Sequence, residues 1–205
     1  YICKNKDESF LAVKEIFGGK FGNAKNILFE EFLEGEEMSY FIITDGITIK
    51  NFGSAQDHKR VGEGDTGPNT GGMGAYSPSN LLTDELEMKI KNKIIQPTLK
   101  AMKSFGHPYS GFLYAGLMIL KGEPYLIEYN IRMGDPECQV LMMRLKNDLV
   151  DIVDLATKNK LQNIKVEWIK EKAITVVLCS KGYPGNYIKD SEISNLEKII
   201  SDKNN

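Results

Sequence analysis

Cysteine is scarce in this 205-residue chain: Cys3, Cys138 and Cys179 lie far apart, and no C-x-x-C pair occurs. That argues against a zinc centre or a disulfide framework and fits a reducing, cytoplasmic compartment. Long apolar runs are missing too. No stretch is long enough to cross a bilayer and no signal peptide is visible, so no membrane partner is expected. Neither sign of charge prevails. Lys and Arg number 26 against 28 Asp and Glu, a net charge of −2, which argues against a nucleic-acid-binding surface. Histidine occurs twice and tryptophan once. His58 reads equally as a base or as a hydrogen-bonding loop residue, and His107, before a proline, is assigned nothing. Trp168 lies in a polar segment and is expected to pack on the domain surface. No internal repeat or low-complexity tract stands out. The remainder, 41% hydrophobic and 26% charged, is an ordinary globular composition, sized for one large domain or one and a half smaller ones. The chain opens mid-pattern at Tyr1, without Met, as a fragment would.

What is present centres on Y-L-I-E-Y-N-I-R-M-G-D-P-E at Tyr125–Glu137. Tyr125–Ile131 alternates apolar and polar residues and reads as a strand after a turn at Gly122. Residues two apart on a strand share a face, so Glu128 and Asn130 project side by side, roughly 7 Å apart along the chain. A carboxylate and an amide oxygen with no His or Cys beside them suit Mg2+ or Mn2+, above all where substrate phosphates complete the coordination. Arg132 follows within reach of anions. Gly134-Asp135-Pro136 breaks the strand, and Asp135 is positioned to cap a helix with Pro136 at its first position. The plainer reading of the same residues is an edge strand with a solvated polar face.

In chain order, Asp7 is the expected cap of a helix through Phe17, with Gly18 beyond it. Ile27–Leu33 reads as a strand, and Glu37–Thr44 and Ile47–Phe52 as a hairpin across Asp45-Gly46. Gly53–Pro78 holds seven glycines, no hydrophobic periodicity and many polar residues. It reads as a long active-site loop whose backbone approaches a ligand and whose Lys59 and Arg60 bind phosphate or carboxylate. Thr83 caps the next helix, in which Leu86, Ile90, Ile94, Pro97 and Ala101 line one face and Pro97 kinks or ends it. Phe112–Leu120 is a central-type strand paired with Tyr125–Ile131. The Asp135-capped helix runs to about Leu145, and another carries Leu149, Ile152, Val153 and Ala156. Met142 and Met143 read as core. Ala173–Ser180 is a buried-type strand, 182–185 a turn, and the tail after Ser201 polar and frayed. Glu30 and Glu31, being adjacent, face opposite sides of a strand and cannot share a metal.

Five stretches together resemble the phosphoribosylamine–glycine ligase family of ATP-grasp enzymes: E-E-F-L-E-G-E-E at Glu30–Glu37, Q-D-H-K-R at Gln56–Arg60, G-P-N-T-G-G-M-G-A-Y-S-P at Gly67–Pro78, G-F-L-Y-A-G-L-M at Gly111–Met118 and E-Y-N-I-R-M-G-D-P-E at Glu128–Glu137. The resemblance implies an α+β, partial ATP-grasp fold, a mainly antiparallel sheet with flanking helices. It implies a division into residues 1–33, the end of the small ATP-grasp subdomain, 34–165, the large subdomain with the metal and substrate site, and 166–205, the start of a C-terminal domain. It implies ATP as co-substrate, Mg2+ or Mn2+, and ligation of glycine to phosphoribosylamine through an acyl phosphate. By the same resemblance Glu128 and Asn130 hold the metal, and the Glu30, Glu31, Phe32, Leu33 segment reads adenine. Glu37 takes the ribose hydroxyls, and Lys59, Arg60 and Asn69 contact the nucleotide. Arg132 and Asp135 face the reacting substrates, as do Asp57 and the turn Gly71, Gly72, Met73, Gly74. A glycine-rich loop with phosphate-binding lysines, an N-terminal domain and a complete C-terminal domain would flank this segment in the family. The segment alone is therefore not expected to complete the reaction. Oligomeric state is left open.

Overall fold

The computed structural model describes residues 1–197; the tail after Ser201 lies outside them. The chain divides into two compact units, Tyr1–Glu34 and a larger one from Gly35 on.

In the first unit, α1 (Lys6–Phe17) is capped by Asn5, whose side chain accepts from the Glu8 N–H at 2.9 Å. Asp7 sits in the first turn instead, where its charge suits the helix dipole. The strand expected at Ile27–Leu33 does not form: the segment joins no ladder, and Leu28, Phe29 and Phe32 are exposed. A strand needs a neighbour as well as a suitable sequence, and no strand is present in the described residues of this unit.

The larger unit is built on β1 (Glu36–Thr44), β2 (Ile49–Asp57), β3 (Arg60–Gly62), β4 (Thr66–Asn69), β5 (Gly74–Ser77), β6 (Gly111–Leu120), β7 (Glu123–Asn130) and β8 (Ala173–Val176). Six of these form one sheet in the order β7-β6-β1-β2-β5-β8, every neighbour antiparallel. The strands β3 and β4 form a separate hairpin. The β1–β2 turn is held by the Asp45 side chain, which accepts from the N–H groups of Ile47 and Thr48. Gly53–Pro78 is thus not a structureless loop. Glycine there serves close packing as well as turning: at Gly53, φ is 93° and a Cβ would sit 2.8 Å from Leu141, so only glycine lets β2 pass beneath the helix above it.

Alternation in β1 sorts the core into two layers. Met38, Tyr40 and Ile42, with Leu113, Ala115 and Leu117 of β6, are buried against α2 (Asp84–Ile90), a π turn (Lys91–Ile95) and α3 (Gln96–Ser104). Phe41 and Ile43, with Phe52 and Tyr114, are buried against α4 (Glu137–Arg144) and α5 (Leu149–Thr157). Thr83 caps α2 through the Leu86 N–H. The single helix expected over Pro97 is split by the π turn, in which the Gln96 N–H reaches back five residues to the Lys91 carbonyl. One added residue rotates the following face by about 100°. Ile94 and Ile95 are therefore both buried, while Pro97 and Ala101, assigned inward from the sequence, are exposed. Tyr129 of β7 meets this irregularity, donating to the Ile94 carbonyl at 3.2 Å and lying 2.8 Å from the Thr98 hydroxyl.

Four further expectations are corrected. The N-cap of α4 is Pro136, with no side-chain cap bond; Asp135, one residue earlier, accepts from Gln139 Nε2 at 2.9 Å. Trp168 is not a surface ornament: its ring packs edge-on against Phe52 at 5.4 Å, and the Arg144 guanidinium lies over it. Met142 packs on the core as expected, but Met143 is exposed. The strand at Ala173 ends at Val176 and is an edge, with Ile174 and Val176 exposed, because only the short β5 is available to pair with it.

Candidate functional site

Pairing registers bring the polar residues onto one face. Asn130 lies opposite Tyr114 and, through it, Phe41; Glu128 lies opposite Gly116 and, through it, Ser39 and Ala55. Two residues further along this face come Glu37 on β1 and Asp57 on β2. Gly116 leaves the space over which Glu128 folds, since a Cβ there would approach Glu128 Cγ to 3.2 Å. Glu128 and Asn130 do share a face: the Asn130 amide donates to Glu128 Oε1 at 3.1 Å. Their oxygens form a hard donor set, but among the described residues no three His, Cys, Asp or Glu side chains converge to enclose a metal. An ion here would need oxygens from a bound ligand.

Lys59 crosses this acidic face and pairs with Glu37 at 2.9 Å. Burial opposes its charge, but the Glu37 hydrogen bond and the charges of Asp57, Glu37 and Glu128 outweigh it, holding the Lys59 pKa above its usual value. Asp57 behaves oppositely. Burial pushes its carboxyl up to about 6, Lys59 pulls it back, and the charges of Glu137 and Glu37 add to the rise.

Glycines 71–74 fold against the start of α4. Gly72 has φ 126°, and a Cβ there would fall 2.4 Å from Pro136 Cδ. The Met73 N–H donates to the His58 carbonyl and the Gly71 N–H to the Tyr183 hydroxyl. Of Gly71, Gly72, Met73 and Gly74, it is Gly72 that lies against the Asp135–Pro136 backbone, while Gly74 packs on Thr175 of β8. His58 has a structural part in this turn: its N–H donates to the Gly74 carbonyl. Arg60 and Asn69 are brought together as register partners in the β3–β4 hairpin, with Arg60 Nη1 donating to the Gly67 carbonyl at 2.7 Å. Arg132 is exposed on the turn after β7, donating to the Met133 carbonyl, and forms no ion pair among the described residues. Glu30, Glu31, Phe32 and Leu33 belong to the first unit, where the first three line a cavity of about 360 Å³ with Ile2, Val13 and Ile16.

Sequence reasoning missed the layer under this face. Glu137 is 2% exposed and accepts from the Ser39 hydroxyl at 2.9 Å, which itself lies 2.9 Å from the Tyr114 hydroxyl. The available signal was a Ser and a Tyr at inward positions of two otherwise apolar strands, and a Glu ending the G-D-P-E turn.

A mainly antiparallel sheet with helices on both faces and an acid–amide pair on one strand is the ATP-grasp arrangement. The biotin carboxylase domain of Hydrogenobacter thermophilus 2-oxoglutarate carboxylase, solved with MgADP and bicarbonate, shares this fold at a TM-score of 0.61 and 20% identity, over 85% of this chain and 37% of that one. Residues 1–138 match the phosphoribosylglycinamide synthetase, ATP-grasp (A) domain, and the chain belongs to that family. It is similar to the phosphoribosylamine–glycine ligase of Brucella melitensis, 53% identical over 201 residues, 98% of this chain and 47% of that protein. It is equally similar to the chloroplastic enzyme of that name from Arabidopsis thaliana, 53% identical over 96% of this chain and 38% of that protein. The crystal structure of the Thermotoga maritima phosphoribosylamine–glycine ligase superposes with a TM-score of 0.75 at 33% identity, over 90% of this chain and 46% of that one. The chain spans about half the length of the curated relatives it matches. Among the described residues no helix is long and apolar enough to cross a membrane.

Proposed function

We propose that the protein carries the ATP-binding part of a phosphoribosylamine–glycine ligase, joining glycine to 5-phosphoribosylamine at the expense of ATP in purine biosynthesis. The observation that carries this reading is the convergence of Glu37, Asp57, Lys59, Glu128 and Asn130 on one sheet face in a chain of that family. In the first step a glycine carboxylate oxygen takes the γ-phosphoryl group and ADP leaves. In the second the amine nitrogen bonds to the acyl carbon, phosphate departs with its bonding pair and the amine loses a proton. Both steps bring anions together, so cations and oriented dipoles do most of the work.

Glu128 and Asn130 would hold Mg2+ or Mn2+; their all-oxygen, incomplete donor set fits a hard ion that also needs phosphate oxygens. When bound, that ion would neutralise charge on the transferring phosphoryl group. Glu37 would take the ribose hydroxyls, freeing Lys59 for a phosphate, and Glu30–Leu33 would read the adenine. Arg60 and Asn69, at the hairpin, would close over the nucleotide. Arg132, Asp135, Asp57 and the Gly71–Gly74 turn would meet the reacting substrates, with Asp57, its carboxyl pushed up to about 6 by burial, suited to take up a proton. Residues 1–33 would end the small ATP-grasp subdomain, 34–165 form the large one, and 166–205 begin the C-terminal domain, its strand β8 added to the large subdomain's sheet. The three free cysteines accord with a reducing, cytoplasmic setting.

The test is ADP release by the full-length protein with ATP, Mg2+, glycine and freshly prepared phosphoribosylamine. Release that needs both substrates is expected. Release with a different acid or amine, and not with these, would make it another ATP-grasp ligase. Mg-ATP binding without turnover would make it a nucleotide-binding module.

A further inference from the structure

Glu137 is the one strongly buried carboxylate next to the proposed site for which the reaction above has no use. Its setting is unusual in three respects. It is 2% exposed, and no cation pairs with it among the described residues. Its oxygen leans on a hydroxyl instead, Ser39 Oγ donating to Oε1 at 2.9 Å, with the Tyr114 hydroxyl in turn 2.9 Å from Ser39 Oγ. It folds back onto its own approach turn so tightly that a Cβ on Gly134 would fall 2.3 Å from Oε2. A carboxylate desolvated this far persists only where donors are fixed around it. Here the hydroxyls come from β1 and β6, and the carboxylate from the first turn of α4, where a negative charge suits the helix dipole. The contact therefore fastens the Gly134–Asp135 turn to two central strands.

We propose that Glu137 is a positioning residue: without touching a ligand, it fixes the turn that carries Asp135 and sets the electrostatic surroundings of Asp57. The inference rests on the ligase reading only for the word site; the tether and the charge are properties of the protein alone. The other groups facing Asp57 are Lys59, Glu37 of β1 and the Tyr114 hydroxyl of β6. Lys59 is in turn faced by Glu37 and Glu128. Of these, Glu137 alone is both charged and sealed from solvent, so its effect on Asp57 is the least screened by salt.

The experiment compares the full-length protein with Glu137→Gln and Ser39→Ala, following the Asp57 carboxyl by NMR titration and the pH profile of kcat/KM. Glu137→Gln keeps size and a hydrogen-bonding oxygen but removes the charge. Its Asp57 midpoint is expected to fall by about half a unit or more, and the acidic limb of the rate profile to move with it. Ser39→Ala keeps the charge and loosens the tether, so the midpoint should hold while kcat falls and KM for ATP changes little. Should either variant fail to fold, the other still reads its half of the inference, and Tyr114→Phe, which removes one hydroxyl and no charge, replaces Ser39→Ala. An Asp57 midpoint unmoved by Glu137→Gln, or an unaltered kcat in the tether variants, would overturn the proposal. Absence of ligase activity in the wild-type protein would fail the ligase reading and leave the titration as the test of the coupling.

Discussion

Along β1 the two faces of the sheet answer different demands. Met38, Tyr40 and Ile42 are sealed by the α2–α3 layer from one end of the strand to the other. On the opposite face the sequence Glu37, Ser39, Phe41, Ile43 runs from charged to polar to apolar. The neighbours repeat the gradient: Gly116, Tyr114 and Phe112 on β6, and Asp57 and Ala55 on β2. One face is uniform and supports the fold. The other is graded, so the same strands that bury a core at one end expose a charged surface at the other. The chemistry of this molecule is thus arranged along its strands, and the two roles meet at Ser39, Tyr114 and Glu137.

Substitutions should separate the roles. The largest effect is expected at the apolar end: Phe41→Ala should cost about 3–5 kcal/mol in urea unfolding, with the slope unchanged. A loss under 1 kcal/mol would mean that this end of the face is not core. At the charged end Glu128→Ala should lower kcat on the order of 100-fold, the scale of a lost ligand to the dominant charge. Its melting temperature should stay near wild type, because the side chain is exposed. Near-normal turnover by this variant at low magnesium would remove Glu128 from the metal.

A smaller effect with a definite sign is expected at Asp57. Its folded-state carboxyl sits at about 6, above the ordinary 3.8. Such a group contributes stability that is fully present below about pH 4 and is lost as pH rises through 6. Asp57→Asn should therefore stabilise the protein by about 2 kcal/mol at pH 8, allowing for partial solvation, and by nothing near pH 3. A stabilisation independent of pH would point to packing instead of charge. Last, the β3–β4 hairpin, with every residue of β4 exposed, should exchange its amide hydrogens sooner than β1. Mg-ATP should slow exchange there while leaving β2 and β5 unchanged. Equal protection with and without the nucleotide would separate Arg60 and Asn69 from nucleotide binding.

Much of this was legible in the chain. The Asp45-Gly46 turn located the hairpin β1–β2, a continuous apolar run located β6 and alternation located β7, and the two-residue spacing put Glu128 and Asn130 on one side. Capping chemistry found Thr83. Other features were hidden because they depend on what lies across from a residue. Gly53 and Gly72 read as loop glycines, yet each is small because α4 or the turn leading into it lies against it. Pro97 announced a break in a helix but not that a π turn would absorb it. Ile27–Leu33 has a strand's pattern without a strand's neighbour. Glu137 could be read as a motif residue, but its burial under Ser39 and Tyr114 is a fact of three separate segments meeting.

The π turn has a consequence for the strand that carries Glu128 and Asn130. Tyr129 stands between Glu128 and Asn130 in the chain and points the other way, into the helix layer, where its hydroxyl meets the Ile94 carbonyl and Thr98. A slip of β7 by one residue would send a carboxylate into that layer and bring the ring out over the acidic face. The phenol therefore works as a locating pin on an edge strand that β6 alone would leave free to slide. The accuracy with which two oxygens are held on one face of the sheet is stored on the other.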